Sequence, residues 1–217
     1  MAWPHLVPYA LAMTLMGSAT ALSIADTPPL AAEPPAHATS TEPAPGELLI
    51  AAATLPDPRF HHAVILVVKH DESGALGIII NRPVRKNRLA TVLKEADKAG
   101  AEDTSITGDI ELYYGGPVEP WLGFLIHSGD YHRAATIKID DVAAVTADKE
   151  ALRDIGHRQG PTQYLFAIGY AGWGAGQLEG EVARRDWFTT PADPTLIFDA
   201  DRAKLWETAL ARRTQDL

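Results

Sequence analysis

The residues best equipped for acid–base or nucleophilic chemistry in this chain are His127 and Ser128, adjacent in sequence, and Glu179 and Glu181, which follow a glycine-rich run. An imidazole activates a hydroxyl only within hydrogen-bond reach, and neighbours in a strand point to opposite faces. His127 and Ser128 do not by themselves make a catalytic pair, and no G-x-S-x-G elbow is present. Glu179 and Glu181 lie about 200° apart around a helix, which excludes a close carboxylate pair. A bond from Glu181 to Arg185, and bonds from Gln177 or Glu179 to nearby backbone, account for them more simply. His61 and His62 are adjacent and would face opposite ways in an extended segment, while His127, His132 and His157 lack ligand-type spacing, so no metal is expected.

The glycines at 169, 172, 174 and 176 match neither G-x-G-x-x-G after a first strand nor a phosphate loop with its Lys and Ser/Thr. They read as a structural turn, as does Gly115-Gly116-Pro117, and no cofactor is expected. What remains is a set of polar and aromatic residues at strand ends or beside glycines, where folds form clefts: Asn81, Arg82, His127, Tyr170, Trp173 and Gln177. These six are expected to line one pocket or surface for a small molecule or a protein partner.

The elements that must position them follow from hydrophobic period and turn chemistry. Residues 165–168 are a short apolar run that reads as a buried strand ending at Gly169; a helix begins at Gln177, where Leu178 and Val182 are four apart. Upstream, 47–54 reads as a strand stopped by Leu55-Pro56-Asp57-Pro58, and 63–70 with 75–81 as an antiparallel hairpin turning at Asp71-Glu72-Ser73-Gly74. Pro83 ends that hairpin, and a basic connection leads to a helix over 88–99 with Leu89, Val92, Leu93 and Ala96 on one face. A polar loop over 100–109, strands over 110–114, 122–128 and 134–139, and a short helix over 148–156 opened by an acidic cap come next. Short extended pieces at 187–190 and 195–199 precede a closing amphipathic helix over 202–212 with Leu205, Trp206, Ala209 and Leu210 apolar. Hairpins mixed with isolated helices indicate an α+β domain with a largely antiparallel or mixed sheet.

Composition bounds the function. With 46% hydrophobic and 22% charged residues over 217 positions, neither wholesale disorder nor a multi-span membrane protein fits, and one domain with a tail does. Of the net charge of −9, four units come from Asp26, Glu33, Glu42 and Glu47 in a segment without Lys or Arg, leaving −5 on the rest. That balance repels a phosphate backbone, so nucleic acid is not an expected partner. The absence of cysteine removes disulfides, thiolate chemistry and a lipoprotein anchor. Residues 1–25 resemble a signal peptide with cleavage after Ala21 or Ala25, although no Lys or Arg precedes the apolar stretch. The alternative is an upstream extension with the true start later. Pro8 and Gly17 argue against a stable membrane anchor. Residues 26–45 are Pro/Ala-rich and read as a disordered linker, so the folded part is expected over 46–213.

Asp57-Pro58-Arg59-Phe60, Gly77-Ile78-Ile79-Ile80-Asn81-Arg82-Pro83, Tyr114-Gly115-Gly116-Pro117-Val118, His127-Ser128 and the stretch from Gly169 through Glu179 to Glu181 together resemble the YqgE/AlgH family. Trp187, Pro191-Ala192-Asp193-Pro194, Phe198-Asp199 and Leu205-Trp206 continue the resemblance. It implies an α+β fold with a curved, partly barrel-like mixed or antiparallel sheet packed by helices. It implies no reaction, because the family is biochemically uncharacterised; one branch is labelled a transcriptional regulator of alginate biosynthesis, without an evident DNA-binding motif. Members of this bacterial family usually begin close to the first strand and look cytoplasmic, which stands against export to the periplasm. The chain is therefore expected to be a non-enzymatic ligand- or protein-binding regulatory module. One alternative is a hydrolase or transferase using His127, Ser128 and Glu179. Another is a transcriptional regulator acting directly or indirectly, for which Arg184, Arg185, Arg212 and Arg213 are the clustered cations.

Overall fold

The computed structural model describes residues 42–97, 105–139 and 141–213; the leader, most of the linker and much of the 100–109 loop lie outside them. Among the described residues ten strands form one sheet. Strands β1 (Glu47–Ala51), β2 (Val64–Asp71) and β3 (Gly74–Ile79) pair antiparallel in sequence order, with β10 (Trp187–Pro191) on the outer edge of β1. The other side is built from β6 (Val118–His127), β7 (Thr136–Ile139), β8 (Ala143–Thr146) and β9 (Tyr164–Gly174), ordered β9-β6-β8-β7. A branch of β4 (Pro83–Arg88) and β5 (Asp109–Tyr114) joins β9 through the single parallel pairing among the described residues. The fold is α+β, with a curled, half-barrel sheet.

Alternation along the strands divides the core. Leu48, Ile50, Val64, Leu66, Ile78 and Ile80 face one way and pack with Phe124, Ile126 and Leu165; Leu49, Ala51, Ile65, Val67 and Ile79 face the other and pack with Trp173, Leu178 and Trp187. Because both faces are covered, the strands read as continuous apolar runs. The first cluster is closed by Leu196 and Ile197 from the π-helical stretch Thr195–Asp199 and by Leu205 and Ala209 from α4 (Leu205–Ala211); the second is closed by α3 (Gln177–Ala183). Helices α1 (Leu89–Asp97) and α2 (Glu150–Gly156) close a third cluster against Leu112, Leu125 and Phe166. The cap position of α2 is taken by Lys149, which makes no side-chain cap bond, and not by an acid; Asp148, one residue earlier, accepts the Glu150 N–H at 3.0 Å.

Four other expectations require correction. The strand at 165–168 does not end at Gly169 but continues eleven residues to Gly174, pairing first with β5 and β6 and then with β3. Gly169 serves close approach instead of a turn, and the turn falls later, at residues 175–176, where Gly176 has φ +72°. The Gly115 N–H donates to Ile168 O at 2.8 Å and the Ile79 N–H donates to Gly115 O at 2.9 Å, so residues 115–116 are wedged between β3 and β9 and do not make a tight turn. A Cβ on Gly115 would stand 2.2 Å from Gly169 O, and one on Gly169, whose φ is +77°, 2.4 Å from Gly116 O. The basic connection after Pro83 is strand β4, exposed at every residue but the half-buried Asn87, where charge and a leading proline suit a sheet edge. The 195–199 segment coils instead of extending, because it supplies Leu196 and Ile197 to the interior. Strand β8 was not anticipated.

The close approach is testable. Gly169→Ala combines left-handed backbone strain with a steric collision and is expected to lower unfolding free energy by about 3 kcal/mol. Gly176→Ala, with φ +72° and nothing within 4 Å, should cost about 1 kcal/mol. Equal shifts of the urea midpoints would mean that conformation alone explains the glycines.

Candidate functional site

The loop from Asp57 to His62 carries a polar surface braced by side chains from outside it. Two prolines stop β1 from continuing, and Asp57 caps the 3-10 turn Pro58–Phe60 by accepting the Arg59 N–H at 2.9 Å. The same carboxylate pairs with the Arg59 guanidinium at 2.6 Å, and that hydrogen bond holds it below the usual carboxylate range. His62 then adopts φ +56°, a left-handed conformation rare outside glycine. Asn81, just past β3, stabilises it: Nδ2 donates to the His62 carbonyl at 2.8 Å while Oδ1 accepts the Val64 N–H at 3.0 Å. Arg82 adds a second brace, donating from Nη2 to His61 O at 2.7 Å and from Nη1 to Arg59 O.

The loop side chains divide between inside and outside. Phe60 points inward, edge-on to Trp187 at 5.7 Å, and Trp187 is edge-on to Trp173 at 5.9 Å. The His61 and His62 rings stack at 3.9 Å and 26°, and His62 stacks on Trp206 of α4 at 3.9 Å and 23°. Adjacent histidines were expected to diverge; the left-handed turn at His62 puts their rings face to face. The Trp206 indole donates to Ala51 O at 2.9 Å, which fixes the bottom of the stack to β1. Arg59 and His61 are exposed; His62, Arg82, Tyr114 and Trp206 are half-buried. Burial pushes the Arg82 guanidinium below its ordinary value, offset in part by Tyr114 nearby. Among the described residues no cluster of three or more His, Asp or Glu is arranged to hold a metal ion.

The six residues expected to share a pocket are distributed over four places. Asn81 and Arg82 brace the loop. Trp173 and Gln177 meet at Glu181: the Trp173 and Trp187 indoles both donate to Oε2 at 2.8 Å, and Gln177 donates to Oε1 at 2.9 Å. Glu181 therefore faces inward to two indoles, not outward to Arg185. This second group reaches the loop only through the Trp173–Trp187–Phe60 contacts. Tyr170 packs edge-on against Phe124 at 6.0 Å, and His127 is fully buried next to Tyr131. One pocket lined by all six is not formed.

His127, Ser128 and Glu179 are likewise not assembled. The Ser128 carbonyl can only accept, so the 2.9 Å contact places a proton on His127 Nδ1, and Nε2 of the neutral ring then accepts from the Thr146 hydroxyl at 2.9 Å. Thr146 in turn accepts from Thr136 at 2.7 Å, and Thr136 from the Arg133 N–H at 2.9 Å, a chain with one consistent direction. Burial lowers His127 below its ordinary pKa and favours this neutral form. Ser128 Oγ donates to Asp130 at 2.5 Å and accepts the Gln163 N–H at 3.1 Å. Glu179 is paired instead with His70, Nε2 to Oε1 at 2.9 Å, while His70 Nδ1 lies 2.6 Å from Pro43 O. Both partners are acceptors, so the ring is an imidazolium. Burial by itself lowers His70, but the Pro43 carbonyl and the Glu179 carboxylate outweigh it and raise the net value; Glu179 is held down by its own backbone N–H and then by His70. Among the clustered arginines, Arg184 pairs with Asp186, Arg212 with Asp193, and Arg213 lies over Phe188.

Sequence reasoning reached Asn81 and Arg82 but missed Arg59, His61, His62 and Trp206 as one surface. The Asp57–Phe60 motif was a signal for the first of these; nothing local marks the left-handed His62 or its stacking on a residue of the last helix.

Comparison with known proteins covers the same region. A family described as AlgH-like (DUF179) matches residues 48–217. The UPF0301 protein of Sphingopyxis alaskensis is 42% identical over 171 residues, 79% of this chain and 89% of that one; a Rhodospirillum rubrum UPF0301 protein is 38% identical over 167 residues, 77% and 85%. The solution structure of the AlgH protein from Pseudomonas aeruginosa superposes with a TM-score of 0.69 at 33% identity, over 83% of this chain and 92% of that one. A Corynebacterium diphtheriae crystal structure, at 22% identity and TM-score 0.61, shares the fold.

The His70–Glu179 pair predicts a pH dependence. A raised histidine pKa contributes stability that is full below about 6.5, the unfolded value, and is lost as pH rises through the folded one. The depressed Glu179 pKa contributes stability above about 4.3 that is lost as pH falls through its folded value. The stability difference between the native chain and His70→Ala should therefore peak on the mildly acidic side of neutrality and shrink toward both extremes. A flat difference across urea melts at these pH values would exclude a charged His70.

Proposed function

The chain belongs to the AlgH-like family, and we propose that it acts there as a non-enzymatic binding module whose recognition surface is the 57–62 loop with Arg82 and Trp206. One observation carries this reading: side chains from β3's exit and α4 hold a strained His62 and its neighbours in a single arrangement while Arg59 and His61 stay exposed. Backbone strain that surrounding residues maintain concentrates at functional sites, and a surface ordered in advance loses less entropy on binding. Engagement of His127, Ser128 and Glu179 in bonds within the chain supports binding over turnover. A regulatory role follows the same logic: the ligand or partner would be read at the loop and left unaltered.

Isotope-labelled full chain titrated with fractionated cell extract should show NMR shifts concentrated at Arg59–His62, Arg82 and the Trp206 indole, with the bound compound recovered unchanged in mass. A chemically altered compound would replace the binding reading with an enzymatic one. Export is proposed separately from residues 1–25: sequencing the mature protein should find a new terminus after Ala21 or Ala25, and an intact leader on cytosolic protein assigns the cytoplasm instead.

A further inference from the structure

We propose that the loop surface takes an oxyanion, phosphate or carboxylate, carried on a flat ring, with the oxyanion against Arg82 and Arg59 and the ring continuing the His61–His62 stack. This rests on the reading of the loop as the recognition surface and names the ligand chemistry it would select.

Arg82 carries the argument for the anion. Its two protein bonds go to carbonyls, of Arg59 and His61, and among the described residues no carboxylate pairs with it. Five N–H groups minus those two leave donors to spare, and a guanidinium fork matches carboxylate or phosphate geometry. A half-buried cation without a counter-charge is costly, and an arriving oxyanion relieves that cost. Arg59 stands one bond away through its carbonyl, but its own charge is offset by Asp57. On a chain of net charge −9, the surface is thus a local inversion of sign that can attract and orient an anion.

The stack carries the argument for the ring. Trp206, His62 and His61 lie in near-parallel succession at 3.9 Å, and the exposed member at the end is His61. Flat rings stack on aromatic and guanidinium planes without demanding a specific hydrogen-bond pattern. The spacing of cation and stack is fixed, because the carbonyl that Arg82 holds belongs to His61 itself.

The test uses the full chain, NMR of the His61, His62 and Trp206 ring resonances, and four probes: inorganic phosphate, AMP, adenosine and nicotinate. AMP or nicotinate is expected to shift these resonances saturably, with adenosine at least about tenfold weaker than AMP. AMP without nicotinate assigns phosphate as the source of the oxyanion; the reverse assigns carboxylate. His61→Ala should weaken the ring-bearing anion about tenfold and leave phosphate unchanged. Asp57→Asn keeps an acceptor for the Arg59 N–H while releasing its guanidinium, and should tighten binding; as a gain, this result cannot come from misfolding. Silence of all three anions, adenosine equal to AMP, or weaker binding by Asp57→Asn overturns the proposal. A neutral compound or a protein that shifts the same loop while the anions stay silent removes the oxyanion and leaves the binding module standing.

Discussion

The contact on which this fold turns is between two stretches of bare backbone. Gly115 and Gly116 cross Gly169 so closely that either side would need to move to admit a single methyl group. Because the crossing exists, β9 can give one edge to β6 and share the other between β5 and β3, and the two halves of the sheet become continuous. Hydrogen bonds from Ile79 to Gly115 and from Gly115 to Ile168 satisfy groups that a branch point would otherwise leave open. The strand that leaves this crossing through β3 runs directly into Asn81 and Arg82, so the position of the loop brace is set by the branch.

Around that frame, polar groups fall into two kinds. Those inside are held in sets within the chain: His127 with the two threonines, Glu181 with the two indoles and Gln177, and His70 with Pro43 and Glu179 Oε1, the last set leaving Glu179 Oε2 buried without a hydrogen-bond partner. Such sets specify packing, since removing one member strands a buried donor or acceptor. The loop set is different in kind. Asn81 and Arg82 spend their donors on main-chain carbonyls, which fixes the shape of the loop without neutralising its charge.

Much of the architecture was legible in the chain. The β2–β3 hairpin, the presence of β1, β5, β6, β7, β9 and β10, the amphipathic α1 and α4, and the α+β class all followed from period and turn residues, because each is decided within a few neighbours. The branch was not legible, since glycine in a strand and glycine in a turn look alike when the segment that presses on it lies, as Gly115 does from Gly169, 54 residues away. The same limit applied to the site. Asn81 and Arg82 stood out as polar residues after an apolar strand, whereas His127 and Ser128 looked reactive only because burial and the directed threonine chain cannot be seen in one dimension. Glu181 and Arg185 fit a helical pair by spacing, yet two indoles from outside the helix won that carboxylate.

Trp206 gives the loop surface an unusual dependence on the order of synthesis. The hairpin and the histidines are made early, but the plate on which His62 rests belongs to the last helix. A nascent chain that has not yet added α4 can hold the sheet's first strands and still lack the ring against which His62 stacks, so the shape of this loop is settled only after α4 has been made.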